Sequence, residues 1–207
     1  MRMSRQLGRM LSVCACTLTC AAASADLITF SFSGVVDTAF ATITLPGGPI
    51  FDGDSISGLL TFDSLTPDQA PADPSTGVYA LSDFQLTIGT NVFTLSASPP
   101  PPTLTIENDV AGSDSMTITA VVTDGVHDID ALLSYSDPTA SVFSSDALPL
   151  TTPAFPPGSL TLEFFGIEGE LFVEGTISAP TVIPSPTAGV LAVIGLVSIA
   201  AARRRIG

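Results

Sequence analysis

Short runs of apolar residues, alternating with polar ones or continuous, recur along the chain with turn residues between them. They cover Leu27 to Ser33, Ala39 to Leu45, Ser55 to Phe62, Tyr79 to Ile88, Asn91 to Leu95, Thr103 to Ile106, Ser115 to Val122, Ile129 to Tyr135, Ser159 to Phe165 and Glu170 to Ile177. Thr, Ser, Val, Ile and Phe dominate these runs, the residues that suit a pleated, half-buried surface. Breakers such as Pro46-Gly47-Gly48-Pro49, Asp52-Gly53-Asp54, Gly89-Thr90-Asn91 and Asp124-Gly125 fall between them at hairpin-like spacing. No long segment between Asp26 and Thr181 combines helical periodicity with helix caps. The pattern predicts an all-β domain over residues 26–181, an antiparallel, jelly-roll-like β-sandwich of roughly eight to eleven strands. A domain of about 150 residues buries about two-thirds of its unfolded surface, enough to stand without crosslinks. Two stretches, Asp63 to Gly77 and Ser136 to Pro157, read as long loops.

The two ends carry a different pattern. Arg2, Arg5 and Arg9 precede an apolar run from Met10 to Cys20, and Ala23-Ser24-Ala25 supplies small residues at a cleavage site. This predicts a helical signal peptide over residues 1–25, removed by signal peptidase before Asp26. At the other end, Thr187 to Ala202 holds no charge, follows Ile183-Pro184-Ser185-Pro186 and is followed by Arg203-Arg204-Arg205. As a helix this run is about 24 Å long, a little short of the roughly 30 Å hydrocarbon core, and snorkelling flanks or a thinned bilayer accommodate the difference. The expectation is a transmembrane helix over 187–202 within a segment 182–207. The basic tail then stays cytoplasmic, and the domain is exported and anchored in the inner membrane, transiently or permanently, before reaching the envelope or the exterior.

Charge sharpens this division. All six basic residues are arginines at the extremities, and all 20 acidic residues lie between Asp26 and Glu174. A domain with carboxylates and no Lys or Arg repels phosphate backbones and anionic headgroups, which excludes nucleic-acid binding and electrostatic attachment to lipid. Cys14, Cys16 and Cys20 all lie in the signal segment, so the mature domain has no disulfide framework.

The same composition narrows the chemistry. Without Cys, Lys or Arg, and with His127 as the only histidine, the domain has no thiol nucleophile, Schiff-base lysine, arginine clamp or multi-histidine metal centre. His127 beside Asp128 is the one general-base candidate, and no Gly-x-Ser-x-Gly elbow accompanies it. Glu163 and Glu174, on late strands, are the nominal carboxylate pair for glycoside hydrolysis. Calcium is the sharper candidate ligand: Asp52 with Asp54, Asn108-Asp109 with Asp114, and Asp124 with Asp128 and Asp130 gather hard oxygen donors in turns, although none has EF-hand spacing. Turn chemistry and solubility explain the same aspartates without a metal. Specific sugar binding has little to stack on, with no Trp, only Tyr79 and Tyr135, and twelve Phe mostly at strand positions expected in the core.

The run Ile183-Pro184-Ser185-Pro186-Thr187, the Gly/Ala/Leu-rich stretch after it and Arg203-Arg204-Arg205 resemble the PEP-CTERM sorting signal, with Ser185 where the family usually has Glu. The resemblance covers about the last 25 residues. It implies that Pro184, Ser185 and Pro186 are recognised by an exosortase-type membrane protease, which cuts nearby and passes the protein to the envelope or extracellular matrix. Thr61-Phe62-Asp63-Ser64, Asp73 to Tyr79, and Phe143 to Pro149 are similar to a β-rich region recurring in proteins of this family, a region with no assigned activity. Together these readings favour a non-enzymatic structural, adhesive or polysaccharide-associated envelope protein. A calcium-stabilised binding module and a secreted hydrolase are the two other readings.

Overall fold

The computed structural model describes residues 26–184. They form eleven strands: β1 (Leu27–Ala41), β2 (Ser55–Asp63), β3 (Thr76–Ala80), β4 (Asp83–Ile88), β5 (Asn91–Leu95), β6 (Thr103–Val110), β7 (Ser113–Thr123), β8 (Asp128–Asp137), β9 (Gly158–Gly166), β10 (Gly169–Ile177) and β11 (Thr181–Ile183). The described residues contain no helix.

Eight strands close into an antiparallel barrel in the order β7-β5-β4-β2-β1-β10-β9-β8, with β8 returning to β7. The expected jelly-roll-like sandwich is therefore wrong in architecture, although the all-β class and most strand positions agree. The physical reason is the length of β1 and β7, each of which takes partners on both edges. One edge of β7 pairs with β8 from Asp114–Asp137 to Thr123–Asp128, leaving no free edge at which a second sheet could begin. Its other edge is divided, with β6 on Thr103–Thr119 through Val110–Ser113 and β5 on Thr94–Thr123 and Leu95–Val122. Likewise β1 takes β2 on one edge, and β10 followed by β11 on the other. Closure removes the exposed strand edges that a sandwich would have to protect.

The expected signal helix in 1–25 and transmembrane helix over 187–202 lie outside the described residues. Among the described residues no helix is long and apolar enough to cross a membrane. The expected inner-membrane anchorage is corrected accordingly: what the structure contains is a β-barrel, with no membrane-crossing helix in it.

Period-two alternation fills the barrel. β8 points Ile129, Ala131, Leu133 and Tyr135 inward, and β7 contributes Met116, Ile118, Ala120 and Val122. Phe30 meets Phe62 at 5.6 Å between ring centroids, and Phe32 meets Phe84 at 6.3 Å. Gly58 on β2 sits directly opposite Phe32, and the phenyl ring occupies the space that a side chain at 58 would need. A glycine inside a strand is thus covered by its aromatic cross-strand partner. Tyr135 is fully buried and its hydroxyl has no hydrogen-bond partner, so burial pushes its ionisation well above the ordinary phenol range.

Two rims result. One carries the β1–β2 loop, the β4–β5 turn, the β7–β8 turn and the β9–β10 hairpin. The opposite rim carries both ends of the described chain, since β11 pairs Ile183 with Thr29.

Gly58→Ala is expected to destabilise the barrel by about 1–3 kcal/mol, because Phe32 must leave its place. Tyr135→Phe, by contrast, removes a buried group that bonds to nothing and should leave stability unchanged or raise it by up to about 1 kcal/mol. Urea unfolding of both variants beside the parent measures the two differences.

Candidate functional site

The groups with the greatest capacity for chemistry meet at the rim of turns. The β7–β8 turn begins with Asp124, whose Oδ1 accepts the backbone N–H of Val126 at 2.8 Å and of His127 at 2.7 Å. This is the local bond that lets Asp-Gly start a tight turn. The other oxygen, Oδ2, lies 2.9 Å from His127 Nδ1. An ionised carboxylate only accepts, so Nδ1 carries the proton it donates. Burial alone would raise the Asp124 carboxyl, but the bonds from the His127 ring, the His127 N–H and the Val126 N–H outweigh it and hold the group below its ordinary value.

The ring is buried and packs edge-on against Phe164 of β9 at 5.2 Å. Its Nε2 faces Glu168 Oε2, in the β9–β10 hairpin, at 3.7 Å. An imidazole oriented by a carboxylate is two-thirds of a nucleophilic triad. The remaining third is missing, since no hydroxyl among the described residues hydrogen-bonds Nε2. The serines near this turn, Ser96 and Ser98, instead donate to Asp128 at 2.7 and 2.6 Å. Their hydroxyls hold the Asp128 carboxyl below its ordinary value. Asp124 thus fixes the ring from within the β7–β8 turn, and the ring's packing on Phe164 joins that turn to β9.

The aspartates expected to bind calcium are not gathered. Asp52 accepts the Ala39 N–H at 2.9 Å beside the bulge in β1, and Asp54 accepts the Phe51 N–H at 2.9 Å. Asp124 and Asp128 are engaged as described, and Asp130 stands on the outer barrel face beside Glu163. Glu163 and Glu174 both point outward, Glu163 opposite Phe172 and Glu174 opposite Thr38 and Thr161. Among the described residues no three His, Cys, Asp or Glu side chains come together to hold a metal ion. Asp114 of the Asn108-Asp109 group is fully buried and accepts three backbone N–H bonds, from Asp109 at 2.9 Å, Val142 at 2.8 Å and Phe143 at 2.7 Å. It ties the β6–β7 hairpin to the β8–β9 loop. Of the expected processing residues, Asp26 and Pro184 are described. Ala23, Ala25, Ser185, Pro186 and Arg203 to Arg205 lie outside the described residues.

Two polar residues with strong structural roles have no place among the sequence candidates. Asp137 accepts from Ser141 N–H at 2.9 Å, from Thr139 N–H at 3.0 Å and from both their hydroxyls. The backbone bond from Ser141, then the Thr139 hydroxyl and N–H, lower its carboxyl to about 2. Asn91 accepts the Gly47 N–H and donates to the Gly48 carbonyl, pinning the β1–β2 loop. The β8–β9 loop also forms an open groove of about 320 Å³ whose lining mixes Ser144, Ser145, Thr151 and Thr152 with apolar residues such as Val142, Phe143 and Leu148.

No family model matches the chain, and no curated protein or solved structure matches it either.

The lowered carboxyl of Asp137 makes folding pH-dependent. Its stabilisation is present above the unfolded value near 3.8 and is lost as pH falls through about 2. Denaturation midpoints should therefore decline across that window, and Asp137→Asn should flatten the decline. The dispersal of the aspartates makes a second expectation: millimolar calcium and a chelator should give the same melting midpoint, and a rise of several degrees with calcium alone would restore the metal reading.

Proposed function

We propose that the chain is an exported, non-enzymatic envelope or matrix protein, sorted through its Pro184-Ser185-Pro186 segment by an exosortase-type protease, with the acidic barrel as the presented part. The observation that supports this reading is the pairing of Ile183 with Thr29, which brings Asp26 and Pro184, where the proposed signal cleavage and sorting would act, to one rim. The opposite rim, with its four turns, is left free for presentation. Two further points agree with it. The single histidine is bonded to Asp124, no hydroxyl among the described residues hydrogen-bonds its other nitrogen, and the inward positions of the barrel strands are taken up by the hydrophobic core. The open groove of the β8–β9 loop, with Ser144, Ser145, Thr151 and Thr152 in its lining, is where extracellular polysaccharide would find hydrogen-bonding groups.

Mass spectrometry of the protein from its native host tests the reading. The expected N terminus is Asp26 and the expected C terminus lies between Pro184 and Pro186. Extracellular material retaining Arg203 to Gly207 would contradict the sorting step. Turnover of generic ester or glycoside substrates that is abolished by His127→Ala or Glu163→Gln would overturn the non-enzymatic role.

A further inference from the structure

The outer face of β8, β9, β10 and β1 differs from the rest of the surface. Register places Asp130 opposite Glu163, Glu163 opposite Phe172, and Phe172 opposite Phe40, in one row across four strands. Phe165 lies on the same face one step nearer the rim, opposite Glu170 and diagonal to Phe172, a separation that aromatic side chains span. Phe40 is 52% exposed, Phe165 70%, and Ile167 at the hairpin tip is fully exposed. An apolar surface of this kind, held out on a hairpin and rimmed by polar groups, marks a contact site.

The carboxylates around it are also distinct. Asp37, Asp52, Asp54, Asp63, Asp68, Asp73 and Asp83 each accept a hydrogen bond from a neighbouring N–H or hydroxyl, as do Glu107, Asp114, Asp124, Asp128 and Asp137. The remaining eight, Asp26, Asp109, Asp130, Asp146, Glu163, Glu168, Glu170 and Glu174, accept none among the described residues, and four of them, Asp130, Glu163, Glu170 and Glu174, are exposed together on this face. Asp130 and Glu163 are like charges directly opposite one another, an arrangement that costs stability. No Lys or Arg lies between Asp26 and Pro184 to offset them. No basic side chain of residues 26–184 complements this face, so the complementary charge lies outside the barrel.

We propose that this face docks a Lys- or Arg-rich polypeptide segment of a partner protein. Its cationic heads pair with Asp130, Glu163, Glu170 and Glu174, while its side-chain stems and guanidinium planes lie on Phe40, Phe172 and Phe165. A second copy of the barrel is a poor occupant, because it would bring an equally acidic surface against this one.

The test is fluorescence anisotropy of labelled deca-arginine with the purified full-length protein at physiological salt, compared across three variants. Asp130→Asn/Glu163→Gln is expected to weaken binding about five- to twentyfold, and Phe165→Ser about two- to fivefold. Asp26→Asn/Asp109→Asn, which removes the same charge from exposed positions elsewhere, is expected to change it by less than about twofold. Equal losses from the two double variants with no effect of Phe165→Ser would show attraction to net charge alone and overturn the proposal, as would no binding by the parent. Concentration-dependent dimerisation abolished by Phe165→Ser would assign the face to a second copy, and overturn it too. Circular dichroism of each variant establishes that the fold is intact before affinities are compared.

Discussion

The structure depends on closure of the sheet at β7. Nearly the whole of β8 pairs with one edge of this strand, while the other edge takes β6 and then, for only Thr94 and Leu95, β5. That two-residue contact turns a long curled sheet into a barrel. Once the sheet is closed, every inward position of eight strands competes for the same volume, and Phe30, Phe62, Met116, Leu133 and Tyr135 fill it. These side chains make the barrel interior the hydrophobic core of the described residues.

Strand content was legible because alternation survives in single strands. The boundaries of β5 agree with the pattern, and β2, β7, β8, β9 and β10 agree within about two residues at either end. Pairing was not legible. Gly34 to Thr38 fall between two expected strands, Leu27 to Ser33 and Ala39 to Leu45, whereas β1 runs through them to Ala41 with a bulge between Val36 and Thr38. In the reverse sense, Tyr79 to Ile88 reads as one strand, but Leu81 and Ser82 divide β3 from β4 and send them to different partners. Neither outcome leaves a trace in local periodicity, since each is decided by a neighbouring strand far away in sequence. The sandwich and the barrel share one pattern of inward and outward residues and differ only in whether the last edges meet.

The candidate site was legible in its residues more than in its arrangement. His127 stood out by being unique, and the sequence set Asp128 beside it, yet the partner that orients it is Asp124, reached by the chain turning back through Gly125. Aspartates in turns read equally well as ligands or as caps, and the backbone decides. Asp52, Asp54 and Asp114 spend their oxygens on N–H groups of the chain itself. The expectation that phenylalanines fill the core holds for Phe30, Phe62, Phe84 and Phe93 and fails for Phe40, Phe51 and Phe165. Phe165 could have been singled out, because Leu160 and Leu162 set the inward phase of β9 and Phe165 is out of step with it.

The convergence of the two ends on one rim has a mechanical side. A pull applied between Asp26 and Pro184 meets first the three-residue ladder of β11 on β1, whose bonds are loaded one after another, as in a zip. A pull from either end against the far rim runs along β1 instead, where the β2 and β10 ladders are sheared together and their bonds resist as a group. Held by its ends and loaded from its turns, the barrel meets force along its strong direction.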